Sequence, residues 1–353
     1  MSPAEPSRNF ASDNVEGASP ELLTALLRAN EGAAAPYGED EWSARVAQRL
    51  RALFEREDLD VLLVPSGTAA NALALATLAP PWGSVLCHRD AHVANDECGA
   101  PAFFGDGLAL VPLDGASSRI DVDALRAAAA RHRGDVHAQQ PSCVTVTQAT
   151  EGGTVYPLET LDAIGAVCRE RGLRLHMDGA RFANALVALG CHPARMTWQA
   201  GVDLLSFGAT KDGALGVEAL VCFDRTLTAQ LHFRRKRAGH LASKMRFLAA
   251  QMEAWLDGDL WLRNARHANA MAARLAAGLA ALPGVSFVDA VEANLLFVRM
   301  PEAASRGLAE RGFRFHADRR DPRAVRLVTS FRTSPQAVDD FIAHAAELLR
   351  GSG

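Results

Sequence analysis

Leu173-Arg174-Leu175-His176-Met177-Asp178-Gly179-Ala180-Arg181 is a short apolar run closed by an acidic residue and a glycine. A helical pattern over 158–171 precedes it. A second apolar run, Asp203–Phe207, follows it and leads into Gly208-Ala209-Thr210-Lys211. The alternation extends in both directions. Val61–Val64, Ser84–Cys87, Leu108–Leu113, Cys143–Thr147 and Val217–Phe223 are further short runs bounded by Gly, Pro or Asp, and 67–79 and 121–133 carry helical periodicity. Strands alternating with helices predict an α/β domain with a mainly parallel sheet. In such sheets ligands bind outside the carboxyl ends of the strands. Ser66, Gln148, Asp178 and Lys211 all fall at or just past such ends.

Lys211 and Asp178 form the most telling pair. A lysine amine can hold an aldehyde cofactor as a Schiff base, and a carboxylate at a neighbouring strand end can hold that cofactor's protonated ring nitrogen. Together they point to pyridoxal phosphate. Composition sharpens this. Of 37 basic residues only Lys211, Lys236 and Lys244 are lysine. In a chain that otherwise uses arginine, a retained lysine is one whose amine matters, since a guanidinium stays protonated and forms no imine.

A chain of 353 residues is long enough for a large and a small domain. The reading divides it into an N-terminal arm (1–30, loose over 1–20), a large α/β domain (31–230), a connecting helical segment (231–260) and a small α+β domain (261–353). The last contains a long helix over Leu260–Leu282, strands at Val285–Val288, Asn294–Met300 and Val325–Ser330, and a closing helix over Pro335–Arg350. The net charge of −4 gives no electrostatic reason to expect nucleic acid or an anionic membrane as partner. No apolar run approaches a membrane span, and Met1–Phe10 lacks the apolar core of a signal peptide. Six cysteines without CxxC spacing read as scattered thiols in a reducing compartment, so the expected location is cytoplasmic.

Pro65-Ser66-Gly67-Thr68 follows a strand and opens a helix, which suits a phosphate at the helix N-terminus, although a plain N-cap has the same form. Asp90 to Gly99 brings His92 together with carboxylates; His92 fits a stacking group or a base, or a solvated cap. Asp178 also fits a helix cap. Arg181 fits a phosphate or a substrate carboxylate. Arg326, inside the apolar strand Val325–Ser330, needs a partner, either a substrate carboxylate or a structural carboxylate. The basic run from His232 to Arg246 reads as a nucleic-acid face, a solvated helix face, or a group reaching an anionic cofactor across a subunit boundary.

With these residues in view, the chain resembles the low-specificity L-threonine aldolases of the threonine aldolase / β-eliminating lyase group, including the L-phenylserine aldolase type. The resemblance spans nearly the whole chain. It rests on Ser12-Asp13-Asn14, Pro36-Tyr37-Gly38, Ser66 to Asn71, Ala91-His92 through Pro101, Gln148-Ala149-Thr150-Glu151, His176 to Ala185, Gly208 to Lys211 and Val325 to Thr329. It implies a PLP-dependent fold type I (aspartate aminotransferase-like) large domain with a mainly parallel seven-stranded sheet, and a small α+β C-terminal domain. It also implies cleavage of L-β-hydroxy-α-amino acids to glycine and an aldehyde, in a homodimer or homotetramer whose sites are completed by the neighbouring subunit. Carried over by position, Lys211 would anchor the cofactor, Asp178 would pair with its ring nitrogen, and His92 would stack on the ring. Gly67 and Thr68 would hold the phosphate, with Thr210 and Arg181 also among the cofactor contacts. Ser12, Arg181 and Arg326 would hold the substrate carboxylate, and Tyr37 would line the site of the other subunit. Near Lys236 to Lys244 the neighbour would lend a phosphate contact; no metal is implied. Two positions depart from the family pattern: Asn14 where Thr is common, and Glu151 where many members have histidine. The base therefore lies between His92 and Glu151. Another fold type I PLP lyase, acting by β-elimination, or an aminotransferase is the alternative, and a PLP-binding protein without catalysis is the rival from another class.

Overall fold

A computed structural model describes residues 8–350 of the chain; residues 1–7 of the arm and 351–353 lie outside the described residues. The apolar runs of the first 223 residues become seven strands: β1 (Asp60–Val64), β2 (Gly83–His88), β3 (Ala109–Leu113), β4 (Gln140–Thr147), β5 (Arg174–Gly179), β6 (Leu204–Gly208) and β7 (Glu218–Cys222). They form one sheet in the order β1-β7-β6-β5-β4-β2-β3. Every pairing from β3 across to β6 is parallel, and β7 runs against both of its neighbours. The continuous apolar character of these strands follows from burial on both faces; β2, β6 and β7 are buried along their whole length.

Helices Gly67–Leu78 and Leu158–Arg171 lie close to the periodicity that predicts them. The first is buried from Ala69 to Leu78, so it is small and apolar on all sides rather than amphipathic. One face of the sheet carries a large core that includes Phe54, Phe182, Phe207, Trp255 and Trp261. The four-stranded second sheet contains β8 (Ser286–Phe287), β9 (Leu295–Arg299), β10 (His316–Ala317) and β11 (Ala324–Val328), in the order β10-β11-β9-β8, all antiparallel. Helices Leu260–Ala280 and Pro335–Arg350 pack on it. Among the described residues no helix is long and apolar enough to cross a membrane.

The arm is not loose over its described part. Phe10 is 1% exposed and packs edge-on against Phe341, with ring centroids 5.1 Å apart. Its backbone N–H donates to Arg314 O at 2.7 Å and its carbonyl accepts from Val328 N at 2.8 Å. Polarity around Phe10 hides this anchor from a sequence reading. Pro20–Ala29 is a helix with proline at its first position, and it packs on Arg246–Leu256 through Ala25, Ala29 and Ala250. The basic run 232–246 is divided among separate contacts. His232 meets Asp60 at 2.9 Å, Arg234 donates to Phe104 O at 3.1 Å, and Lys236 sits 4.8 Å from the centroid of the Tyr37 ring.

Phe10→Ala removes a fully buried ring from the small-domain core. The expected cost is about 3–5 kcal/mol, read by urea unfolding, together with faster proteolysis ahead of Ser12.

Candidate active site

The carboxyl ends of β1, β5 and β6 carry the chemistry. Ser66 caps the helix after β1, its Oγ accepting from Ala69 N at 3.3 Å. The next residue, Gly67, faces open space, since a Cβ there would meet nothing within 4 Å. The first helical turn therefore leaves its backbone N–H groups beside Gly67 and Thr68 approachable by an anion.

One turn further along, Asn71 Nδ2 donates to Asp178 Oδ2 at 2.9 Å and to Glu97 Oε1 at 2.8 Å. Asp178 ends β5 and is 3% exposed; its Oδ1 accepts from Ala180 N at 3.0 Å. His92 Nδ1 lies 2.9 Å from the same Glu97 oxygen. That hydrogen bond pushes the imidazole pKa up against the opposing effect of burial, with the charges of Asp178 and Glu151 adding to it.

Lys211 projects from a single turn, Thr210–Asp212, directly after β6. Two anchors hold this turn. Asp212 is buried, its Oδ2 accepting from Trp255 Nε1 at 2.9 Å and its carbonyl from Asn264 Nδ2 at 2.8 Å. Gly213 follows with φ +115°, and a side chain there would collide with Ser19 Oγ, so only glycine suits the exit. Beneath the turn, Glu218 Oε2 accepts from Ala209 N at 3.0 Å, and burial pushes this carboxyl up to about 7. Thr210 spends its hydroxyl on the Val217 backbone, at 3.3 Å from N and 3.4 Å from O.

A cavity of about 530 Å³ brings together Ser12, His92, Glu151, Arg181, Lys211 and Arg326. Arg181 is buried and makes a two-pronged pair with Asp13, Nε to Oδ2 at 2.8 Å and Nη2 to Oδ1 at 3.0 Å, which leaves Nη1 for another acceptor. Asp13 is desolvated, yet Arg181 and Lys211 hold its pKa below the usual carboxylate range. Arg326 donates to Ala11 O at 3.0 Å and has no carboxylate partner among the described residues. Burial and the like charge of Arg181 press its pKa down, so an anion placed between the two arginines would relieve both.

Tyr37 stands apart from this cavity within one chain: it is 46% exposed and does not line it. Asn71, Glu97 and Glu218 also hold the site, although their sequence signals are weak. The available signals were an Asn one turn inside the helix, a Glu shortly after His92, and a Glu heading an apolar strand.

The donor set fits pyridoxal phosphate. An amine and an oriented buried carboxylate stand at adjacent strand ends, and an open helix N-terminus lies beside them. A family model described as Beta-eliminating lyase matches residues 9–303. The low specificity L-threonine aldolase of Pseudomonas sp. (strain NCIMB 10558) is 47% identical over 310 residues, covering 88% of this chain and 89% of that protein. Its namesake from Pseudomonas aeruginosa is 48% identical over 309 residues, covering 88% and 89%. A structure of Leishmania major threonine aldolase superposes with a TM-score of 0.91 at 29% identity, covering 97% and 99% of the two chains. An aspartate aminotransferase from Rhodobacter sphaeroides, 18% identical with a TM-score of 0.73 over 99% and 94% of the two chains, shares the fold. The two sheets thus form the fold type I architecture, and the chain belongs to the β-eliminating lyase family, within which its sequence and structure are similar to the L-threonine aldolases.

Proposed function

We propose that this protein is a pyridoxal-phosphate aldolase that cleaves the Cα–Cβ bond of L-β-hydroxy-α-amino acids, of the L-threonine, L-allo-threonine and L-phenylserine type, to glycine and an aldehyde. The observation that carries this reading is the shared cavity of Lys211, His92 and two arginines, one of which has no carboxylate partner among the described residues. Such a wall selects an amino acid by its carboxylate.

The bound cofactor supplies an electron sink for the pair left on Cα. Lys211 would hold the cofactor through its side-chain amine. Asp178, its oxygens oriented by Asn71 and Ala180, keeps a proton on the ring nitrogen. The backbone at Gly67 and Thr68 holds the phosphate, with Thr210 at the edge of that contact. Ser12, Nη1 of Arg181 and Arg326 grip the substrate carboxylate. Fixing that group would decide which Cα bond is presented for cleavage. A base, His92 or Glu151, takes the β-hydroxyl proton as the carbonyl of the departing aldehyde forms.

Tyr37 and the Lys236–Lys244 stretch lie together on the surface, since Lys236 covers the Tyr37 ring. That position supports a homodimer or homotetramer in which they complete the neighbour's site. The six free cysteines suit the reducing cytoplasm.

Incubation with L-threonine, L-allo-threonine and both phenylserine diastereomers is expected to release aldehyde and glycine in equal amounts. Pyruvate with ammonia, or a keto acid, would instead assign elimination or transamination. Lys211→Ala is expected to lose the visible absorption band of the purified protein along with turnover. Asp178→Asn should keep its circular dichroism spectrum while kcat falls by about 10²-fold or more; near-normal turnover would remove Asp178 from its role.

A further inference from the structure

An unbroken hydrogen-bonded chain runs from the ring-nitrogen carboxylate to the imidazole: Asp178 Oδ2, Asn71 Nδ2, Glu97 Oε1, His92 Nδ1, with steps of 2.9, 2.8 and 2.9 Å. The Glu97 side chain is 0% exposed and Asn71 is 2% exposed, so the middle of the chain is closed to water while its His92 end is open. Its far end, His92, lines the cavity beside Lys211.

We propose that Glu97 is a positioning residue that locks His92 as the base for the β-hydroxyl proton, and that Asn71 ties this pair to Asp178. This rests on the aldolase reading above. The physical reason is directional. Burial and the charge of Asp178 push the Glu97 carboxyl up, while the hydrogen bonds from His92 and Asn71 favour its ionised form; once ionised it only accepts, so the imidazole places its N–H at Nδ1 and leaves the Nε2 lone pair for the substrate. In the reaction Nε2 takes the hydroxyl proton, the C–O bond becomes a carbonyl, and the Cα–Cβ pair passes to the glycine fragment. The imidazolium that results is stabilised by Glu97, an arrangement equivalent to a base oriented by a buried carboxylate in hydrolases. Glu151 lines the same cavity, but among the described residues no hydrogen bond orients its carboxylate. Asn71 matters because its amide can donate to both carboxylates at once. It thereby keeps two buried anions, Glu97 and Asp178, from competing for one proton. Groups whose charge reaches His92 are Glu97 on its own segment, Asp178 at the end of β5, Glu151 after β4 and Lys211 after β6.

The test uses the full-length, cofactor-loaded enzyme with three variants. Glu97→Gln is nearly isosteric and removes only the charge. It is expected to lower kcat by about 10²-fold with little change in KM. Without the anion the imidazolium is less favoured, so the acid limb of the kcat–pH profile should move to lower pH. The His92 titration, followed by NMR with histidine-selective 13C labelling and assigned with His92→Asn, should move with it. Glu97→Asp, which keeps the charge, should recover part of the rate and carries the test if Glu97→Gln does not fold. Asn71→Ser leaves the His92–Glu97 contact intact, so its acid limb should stay near that of the wild type while kcat falls less. Unchanged His92 titration and acid limb in Glu97→Gln would overturn the proposal, as would an equal shift in Asn71→Ser. The NMR titration reads the pairing whether or not the wild type turns over. Absence of glycine and aldehyde from the wild type would sink the aldolase reading instead.

Discussion

The buried ion pair between Asp13 and Arg181 is the constraint around which the site is built. Its two side chains are 1% and 4% exposed, so neither charge can be left alone without a cost of several kcal/mol. Meeting that demand draws the N-terminal arm across the molecule to the turn after β5. Asn294, just before β9, donates to the same carboxylate at 3.2 Å and brings the small domain into the arrangement. One ion pair therefore brings together three separate stretches of chain at the mouth of the cavity. It also leaves one face of the Arg181 guanidinium for an outside acceptor.

Charge in the cavity is arranged in two zones. Around the cofactor position, Asp178, Glu97 and Glu218 surround Lys211 and His92, and burial makes each carboxylate depend on a specific donor. Asp178 relies on Asn71 and Ala180, and Glu218 on Ala209. At another wall, Arg181 and Arg326 repel one another, and among the described residues only Arg181 of the two has a carboxylate partner. A ligand with a carboxylate at one end and an amine near the other matches both zones at once, which is the polarity of an α-amino acid. The small domain supplies the outer wall: Arg319 reaches Asp96 at 2.6 Å, and Arg320 stacks over Phe297 at 4.1 Å while meeting Asp289 at 2.9 Å. That wall is polar.

Much of this was legible in the chain. The β5 run ending in Asp178 and the β6 run ending before Lys211 are local signals, because a strand buried on both faces must be apolar throughout and must stop where polar residues begin. The helix Leu260–Ala280 and the closing helix Pro335–Arg350 follow from periodicity in the same way. The arm reads as loose in sequence for an equally local reason: Phe10 and Asp13 sit among polar residues, and nothing nearby reveals what each one contacts.

The sequence alone determined the order of strands and helices, the amine and the carboxylate at their ends, and hence the class of cofactor, since these depend on residue type and spacing along the chain. Tertiary structure decided which groups act on one another. Asp13 pairs with Arg181 across 168 residues, Asn71 reaches Asp178 across 107 and Glu97 across 26. Such pairings are set by the twist and order of the sheet, which carry distant loops to one edge. Hydrogen-bond direction and desolvation then fix each group's role, and both are properties of the space between residues rather than of the residues themselves.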